Sequence, residues 1–509
     1  MSSNQFFSPF GVRNVNVKWF DAKGNGVKDD TEAIQKAINY VGDLGGGFVY
    51  FPPGTYIIHP QNEQRIELRS NITLAGAGAS SCLKIKDDAG DYFTVFGQLN
   101  NGPKDTLRGV TIRNLRIDQN PKGNTTCNIS KSNPNPYHRQ HVFSFYNFEN
   151  ITIEHVSFHP TTSMNTITLN KRTARFANVK NCFFNFERGK STDKKYDNSA
   201  IYFQCFEHMA IGNQFTTKVG EGAGAIETHT GISIISNNMI KNYHVGVHVQ
   251  HADHPHPNMN IQGNNLIDVG RGVLLWGNED IPLENVNVSN NLIKVNNLER
   301  NVLPIGGIIC ASNSHKSNII NMNIIGNNIM FQEEKEDEDR EINLTYVAGI
   351  GLDHKFLKKQ NINITNNTIN KSPSLGISLG NFNNTGTSEN VMIQGNSITN
   401  AGHAPYGNKK RKNFIEVRGQ LLNVLVANNI ILETYEKGRA NAAISSIAAS
   451  PTSENVRITE NLIHSSQNLP ILDCPHSKVH PTGLELKSPS GKKYRLSVDD
   501  EGTIITSLI

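Results

Sequence analysis

Apolar residues in this chain recur in short clusters of constant shape. "ISNNMI" (235–240), "VSNNLI" (288–293), "ITNNTI" (364–369), "IQGNSI" (393–398), "VANNII" (426–431) and "ITENLI" (458–463) each open on an apolar residue, pass through two or three small or polar ones, and close on an apolar residue. The same unit occurs at 210–215, 261–267 and 324–329, with looser versions at 112–117, 153–158 and 179–184. Nine successive units carry Asn two positions before the closing apolar: Asn213, Asn238, Asn265, Asn291, Asn327, Asn367, Asn396, Asn429 and Asn461. The closing residues Phe215, Ile240, Ile267 and Ile293 stand 25, 27 and 26 apart, and later steps lengthen to between 29 and 40. Short alternating strands at such a period predict a parallel β-solenoid, with loops inserted in the longer turns. Stacked coils set like residues about 4.8 Å apart, where Asn amides, having both donors and an acceptor, can bond in a ladder. Asn also tolerates the left-handed backbone of a tight corner.

The two ends depart from this pattern. "DDTEAIQKAINYVGDLGGG" sets Ala33, Ile34, Ala37, Ile38 and Val41 on one helical face, behind Asp29, Asp30 and Thr31 as capping candidates, and Gly45–Gly47 stop the helix. A solenoid must cover the open end of its core, and one amphipathic helix suffices. At the other end, "KKYRLSV", a "DDEG" turn and "TIITSL" predict a small β-hairpin. The expected organisation is a leading segment with a capping α-helix over 1–58, a β-helix over 59–470 and a hairpin element over 471–509.

Composition narrows the function. Apolar residues are only 37% of the 509, but charged residues are 18% and the apolar clusters are regular, which excludes disorder. A formal net charge of +4 gives no electrostatic footprint for nucleic acid or an anionic membrane. No apolar run approaches a membrane span, and the first residues lack the charge-then-apolar order of a signal peptide. The expectation is therefore synthesis in a bacterial cytoplasm without membrane insertion. The six cysteines are scattered without a C-x-x-C pair, as buried thiols would be.

"FDAKGNGVKDDTEAIQKAI" (20–38) followed by "GGGFVYFPPGTYII" (45–58) resembles the N-terminal segment of the pectin-lyase superfamily. The resemblance implies an all-β, right-handed parallel β-helix and a place among polysaccharide lyases, glycoside hydrolases, epimerases and phage tailspikes. The last stretch, "KSPSGKKYRLSVDDEGTIITSLI" (487–509), resembles the tail found at the ends of phage and prophage tail proteins of Gram-positive bacteria. Family members of this kind usually act as parallel homotrimers. The N-terminal pattern begins as early as Phe20, where tailspikes often carry an anchoring domain first, so attachment by a short tip, by the C-terminal piece, or none is expected.

A second strand in each coil carries the candidate chemistry. Aligning "AIYFQ" (200–204), "AIETH" (225–229), "GVHVQ" (246–250), "GVLLW" (272–276), "GIICA" (307–311) and "GIGLD" (349–353) sends Ile201, Phe203, Ile226, Val247, Val249, Val273 and Leu275 to the core. Two columns then face outward: Tyr202, Glu227, His248, Leu274, Ile309, and Gln204, His229, Gln250, Trp276, Ala311, Asp353. "TITLN" (166–170) extends them with Thr168 and Asn170. Flat Tyr and Trp faces with amides and imidazoles suit a sugar-binding groove, in which Tyr202, Gln204, Gln250, Trp276, Asn170 and Arg271 are candidate substrate contacts.

Glu227 is the candidate general acid or base, with His229 and His248 tuning it or accepting a proton. Glycoside hydrolysis would need a second carboxylate roughly 5–10 Å away. Asp118 is the first candidate, with Glu221, Asp253 and Asp268 beside it. A lyase would instead need a base, from His229, His248 or Tyr202, and a cation such as Arg271 or Lys218 to neutralise a uronate. His244, His248, His251, Asp253, His254 and His256 raise a metal ion as a minor possibility, but their spacing matches no familiar signature, so no metal or other cofactor is assigned. The calcium-binding Asp clusters of pectate lyases and the "DPH" motif of alginate epimerases are not evident.

The expected function is a phage or prophage tail-associated depolymerase that binds and cleaves a bacterial surface or secreted polysaccharide, or a teichoic acid, as a hydrolase or lyase. It would be a homotrimer on a virion tail, in contact with other tail or baseplate proteins, or free after host lysis. The alternatives are a non-catalytic receptor-binding tail protein using the same groove and a structural tail fibre.

Overall fold

In the computed structural model the described residues are 13–60, 65–90, 92–97, 106–124, 140–161, 165–171, 173–187, 199–219, 222–229, 231–250, 258–278, 281–296, 305–312, 316–332, 347–352, 356–380, 386–403, 412–435, 440–445, 452–465, 469, 471–472, 478–479, 485–487, 490, 492–498 and 504–508. Each coil contributes one strand to each of three parallel sheets of 16, 15 and 14 strands, and like strands of successive coils are neighbours throughout. This is the predicted all-β parallel β-helix. The sheets draw strands from Asn14–Asn16 to Lys478–Val479, so both expected boundaries, at 58 and at 470, fall within the solenoid. The leading segment is itself the first coils.

The helix α1 (Thr31–Asp43) buries Ile34, Ala37, Ile38 and Val41 against the open end, as its pattern predicts. Its N-cap residue Asp30 makes no capping bond with its side chain; that buried carboxylate accepts instead from the backbone N–H groups of Lys23 and Gly24 and fastens the chain ahead of the helix. The C-terminal hairpin is present as Lys493–Val498 and Ile504–Leu508, but a third strand, Glu485–Lys487, pairs with it to make a three-stranded antiparallel sheet. Cys82, Cys182, Cys205 and Cys310 are buried free thiols, and Cys127 and Cys474 lie outside the described residues.

An Asn ladder runs through the corner between the first and second sheets. Asn213 donates from both its backbone N and its Nδ2 to Oδ1 of Asn238 (3.0 Å each), and sends its other Nδ2 hydrogen back to Val179 O at 2.9 Å. The same three bonds repeat from Asn238 to Asn264, Asn264 to Asn291, and onward through Asn327, Asn367, Asn396 and Asn429 to Asn461. Each amide thus ties its own coil to the one before and the one after, with all its hydrogen-bonding capacity used. One member differs from the sequence expectation. The ladder residue in "IQGNNLI" is Asn264, and Leu266, not Ile267, stacks between Ile240 and Ile293.

The residue preceding each ladder Asn has left-handed backbone, and its identity alternates over eight coils, Gly212, Asn237, Gly263, Asn290, Gly326, Asn366, Gly395 and Asn428, before Glu460 ends the series. A Cβ on each of these four glycines would sit 2.5–2.7 Å from Oδ1 of the Asn one coil below, so an Asn shelters the corner and the next coil must leave room for it. Beneath the corner, Phe158, Phe184 and Phe215 stack with ring centroids 4.6 and 4.7 Å apart, the coil spacing itself.

The ladder assignment predicts unequal costs at two adjacent asparagines. Asn264→Ala strands the Asn238 N–H groups and Ile235 O in the interior and should lower stability by about 3 kcal/mol, the sum of two or so orphaned buried groups. Asn265→Ala, at a half-buried position outside the ladder, should cost less than about 1 kcal/mol. Denaturant unfolding of both variants measures the contrast.

Candidate functional site

The third sheet bears the aligned strands in the predicted register. Thr168 pairs with Tyr202, Tyr202 with Glu227, Glu227 with His248, His248 with Leu274 and Leu274 with Ile309. Gln250 pairs with Trp276 and Trp276 with Ala311, and the flanking pairs Leu169–Phe203, Phe203–Thr228 and Thr228–Val249 set Asn170, Gln204, His229 and Gln250 in line. The alternating partners Ile201, Phe203, Ile226, Val247, Val249, Val273 and Leu275 fill the core. Both columns therefore lie on the outer wall.

Three adjacent coils converge on one carboxylate. Ser199 Oγ donates to Glu227 Oε2 at 2.5 Å, His229 Nε2 donates to Oε1 at 2.7 Å, and His248 Nδ1 stands 3.7 Å from the same Oε1. The Tyr202 ring lies against the His229 imidazole, centroids 4.7 Å apart. Outward does not mean solvated here, because the side chains of Glu227, His229 and His248 are only 12, 10 and 22% exposed. Sequence alternation gives the side of the sheet but not this depth. Ser199 was missed because it lies three positions before Tyr202, out of step with strict alternation; its place ahead of "AIYFQ" was the available signal.

Electrostatics divides the labour within the cluster. Burial alone would push the Glu227 carboxyl up, but the His229 hydrogen bond, the imidazole charges and the Ser199 hydrogen bond outweigh it and hold the group down at about 2. A carboxyl this acidic is ionised at neutral pH and delivers no proton to a leaving group. Burial pulls His248 down to about 4 against the opposing pull of Glu227, and the charges of His229 and Arg271 push it the same way as burial. His248 is thus neutral at pH 7. Glu227 beside Nδ1 favours the Nδ1–H tautomer, and Nε2, buried and without a hydrogen-bond partner among the described residues, keeps its lone pair.

Other sequence candidates fall elsewhere. Asp118 lies on Arg116–Asp118 in the second sheet, ion-paired with Arg116 and accepting from Asn120 N, and is not brought to Glu227. Asp268 pairs with Lys294 and bonds Asn296. Arg271, level with Val245 and Gly306, is 6% exposed, so its charge acts on His248 from within and not from the accessible wall. Lys218 is exposed on the coil leading to Glu227. Glu221, His251, Asp253, His254, His256 and Asp353 lie outside the described residues. Among the described residues no group of three or more His, Cys, Asp or Glu is arranged to hold a metal ion, and no helix is long and apolar enough to cross a membrane. Trp276 is half-buried over a small apolar cluster of Val245, Leu274, Ile309, Ala311, Ala348 and Leu375 on the same wall.

A family model described as rhamnogalacturonase A/epimerase, pectate lyase-like, matches residues 14–273, just over half of the chain and all of the Glu227 cluster. The chain belongs to this pectate lyase-like β-helix family. It is 37% identical over 120 residues to mannuronan C5-epimerase AlgE6 of Azotobacter vinelandii (23% of this chain) and 38% identical over 109 residues to alginate lyase 7 of the same organism (21% of this chain). Those matches span 13% and 12% of the relatives' own lengths. Among solved structures, the tailspike protein of E. coli bacteriophage HK620 in complex with a pentasaccharide aligns with 97% of this chain and 87% of its own at a TM-score of 0.65 and 16% identity, a likeness of fold. The family member described here is a parallel β-helix protein.

The cluster predicts a pH signature. His248 binds its proton less readily folded (about 4) than at its ordinary value of 6.5, so the unfolded chain holds more protons between these values and stability rises with pH across that window. Glu227, held down at about 2, adds stability that is present above its ordinary value of 4.5 and lost as pH falls through 2. His248→Gln should flatten the slope of unfolding free energy between pH 4 and 6.5, measured by denaturant titration at several pH values, while leaving the steeper acid limb below 4.5.

Proposed function

We propose that this chain is a phage or prophage tail-associated depolymerase that cleaves an acidic bacterial polysaccharide by proton abstraction. The observation that carries this reading is the neutral His248 with a free Nε2, oriented by an ionised Glu227 that His229 and Ser199 hold in place, on the outer wall of a β-helix. One base and no second carboxylate within the cluster, among the described residues, suit β-elimination better than two-carboxylate hydrolysis. Once a bound uronate displaces the side chains that cover it, His248 Nε2 takes the proton alpha to the uronate carboxyl, the freed electron pair forms the carbon–carbon double bond, the glycosidic C–O bond breaks, and the departing oxygen takes a proton from the Tyr202 hydroxyl.

Similarity to an alginate lyase and to mannuronan epimerases supports chemistry at a carbon next to a uronate carboxyl, and the tailspike fold supports saccharide binding on a wall of this kind. The assembly proposed is a homotrimer on a virion tail, with tail or baseplate partners, or released after lysis.

Purified protein incubated with Gram-positive capsules and envelopes, and with mannuronan, tests the reaction through absorbance of unsaturated uronate at the new chain ends. The unaltered chain should release unsaturated oligosaccharides. Glu227→Gln and His248→Ala should each lower turnover at least about a hundredfold while the polymer still binds, a loss typical of removing a positioned base or its orienter. Reducing ends without unsaturation would turn the reading to hydrolysis; binding without any cleavage would turn it to a receptor-binding protein.

A further inference from the structure

Three strands of the third sheet begin on polar residues that hold one another. His141, Asn165 and Ser199 are the first residues of His141–Phe145, Asn165–Leu169 and Ser199–Phe203, and Asn165 is level with Ser199. His141 is fully buried, with Nδ1 2.8 Å from Asn165 O. A carbonyl oxygen only accepts, so Nδ1 carries the proton and donates. Thr168 Oγ1, 3.0 Å from the same nitrogen, accepts from it as well. Asn165 in turn accepts the backbone N–H of Ser199 on its side-chain Oδ1 at 3.1 Å.

The next bond in this line reaches the functional cluster, where Ser199 Oγ donates to Glu227 Oε2. His141, Asn165, Ser199 and Glu227 stand on four successive coils, about 14 Å along the axis. The first residue of a strand lacks ladder bonds that fix residues further in, and here a side-chain acceptor takes their place. On its other side Ser199 is level with Gly224, which has no side chain to offer. The titratable groups facing Glu227 among the described residues are His229 on its own strand and His248 one coil on. Tyr202, one coil back, lies against His229, and Arg271 acts on His248. Ser199 supplies the neutral donor, and Asn165 sets where that donor stands.

We infer that Asn165 is a positioning residue for the Glu227–His248 pair: its Oδ1 fixes the start of the Ser199 strand so that the Ser199 hydroxyl reaches the Glu227 carboxylate. Asn165 touches none of the reacting atoms and acts two coils away. Without its oxygen the start of the Ser199 strand is released, the hydroxyl moves off, and Glu227 loses a donor that favours its ionised form. The effect on turnover rests on this pair being the reactive one, as proposed above; the effect on Glu227 itself does not.

The full chain, Asn165→Ala, Ser199→Ala and the double variant are compared by denaturant unfolding from pH 6 down to pH 2. Loss of the Ser199 bond should raise the proton affinity of Glu227 about tenfold, the size of a hydrogen bond to a charged group. Glu227 is held at about 2 against its ordinary 4.5, so the stability it adds is present above 4.5 and lost as pH falls through 2. The deficit that Asn165→Ala causes through Glu227 should therefore be about tenfold in the folding equilibrium constant at pH 6 and shrink to about twofold at pH 2. A deficit from packing alone is the same at both. In the Ser199→Ala background the Asn165→Ala deficit should lose its pH dependence. A deficit equal at the two pH values, or an unchanged pH dependence in the Ser199→Ala background, overturns the positioning role. On a polymer that the parent cuts, Asn165→Ala should lower kcat about tenfold with KM unchanged, as Ser199→Ala does, and an unchanged kcat overturns its part in the reaction. If the parent cuts no polymer, the reaction proposed above falls, and the unfolding comparison by itself supports or overturns the positioning role.

Discussion

Everything in this molecule depends on coils that stack in register, and the interaction that enforces register is the buried Asn ladder. An amide side chain with two donors and two acceptor sites is expensive to bury unless all are used. In the ladder they are used only when the coil before supplies a backbone carbonyl and two N–H groups and the coil after supplies an Oδ1 at the same height. A slip of one residue in any coil would break the chain of bonds on both sides and turn every outward side chain of that coil inward. The stacked rings of Phe158, Phe184 and Phe215 repeat at the same spacing, so core and ladder favour the same register.

That register makes the site. Ser199, Glu227 and His248 belong to three successive coils and are far apart in sequence, yet they share one carboxylate because their strands are held level. Once assembled, the cluster is deep enough for electrostatics to act strongly. Burial that would have neutralised Glu227 is overcome by directed donors, while the same burial keeps His248 uncharged. The outcome is an ionised acid beside a neutral base, held in fixed positions and kept in those charge states over a wider pH range than on a solvated surface.

The coil order and the two outer columns were legible in sequence, because alternation of apolar residues fixes which side of a strand each residue takes, whereas the third strand of each coil came only with the structure. The register of 261–267 was not. "IQGNNLI" offers two asparagines and two closing apolars, and the choice falls on Asn264 because Gly263 takes the left-handed corner, a local signal outweighed by counting from the wrong apolar residue. The depth of the wall was also illegible, since Leu274 and Ile309 read as outward positions but are buried in a second apolar cluster by parts of the fold distant in sequence. Asp118 stood out as a carboxylate in a strand unit, but its unit belongs to the second sheet, and sequence spacing alone did not separate the faces.

The central claim is that Tyr202, Glu227 and His248 stand level on one outer wall. Paired cysteine substitutions test it directly, because a disulfide needs Cα atoms about 4.4–6.8 Å apart with side chains on the same side. Tyr202→Cys combined with Glu227→Cys should crosslink under mild oxidation, seen by peptide mass, whereas Tyr202→Cys combined with Thr228→Cys should not, Thr228 facing the interior beside Phe203. Crosslinking of the second pair in place of the first would contradict the register and, with it, the site.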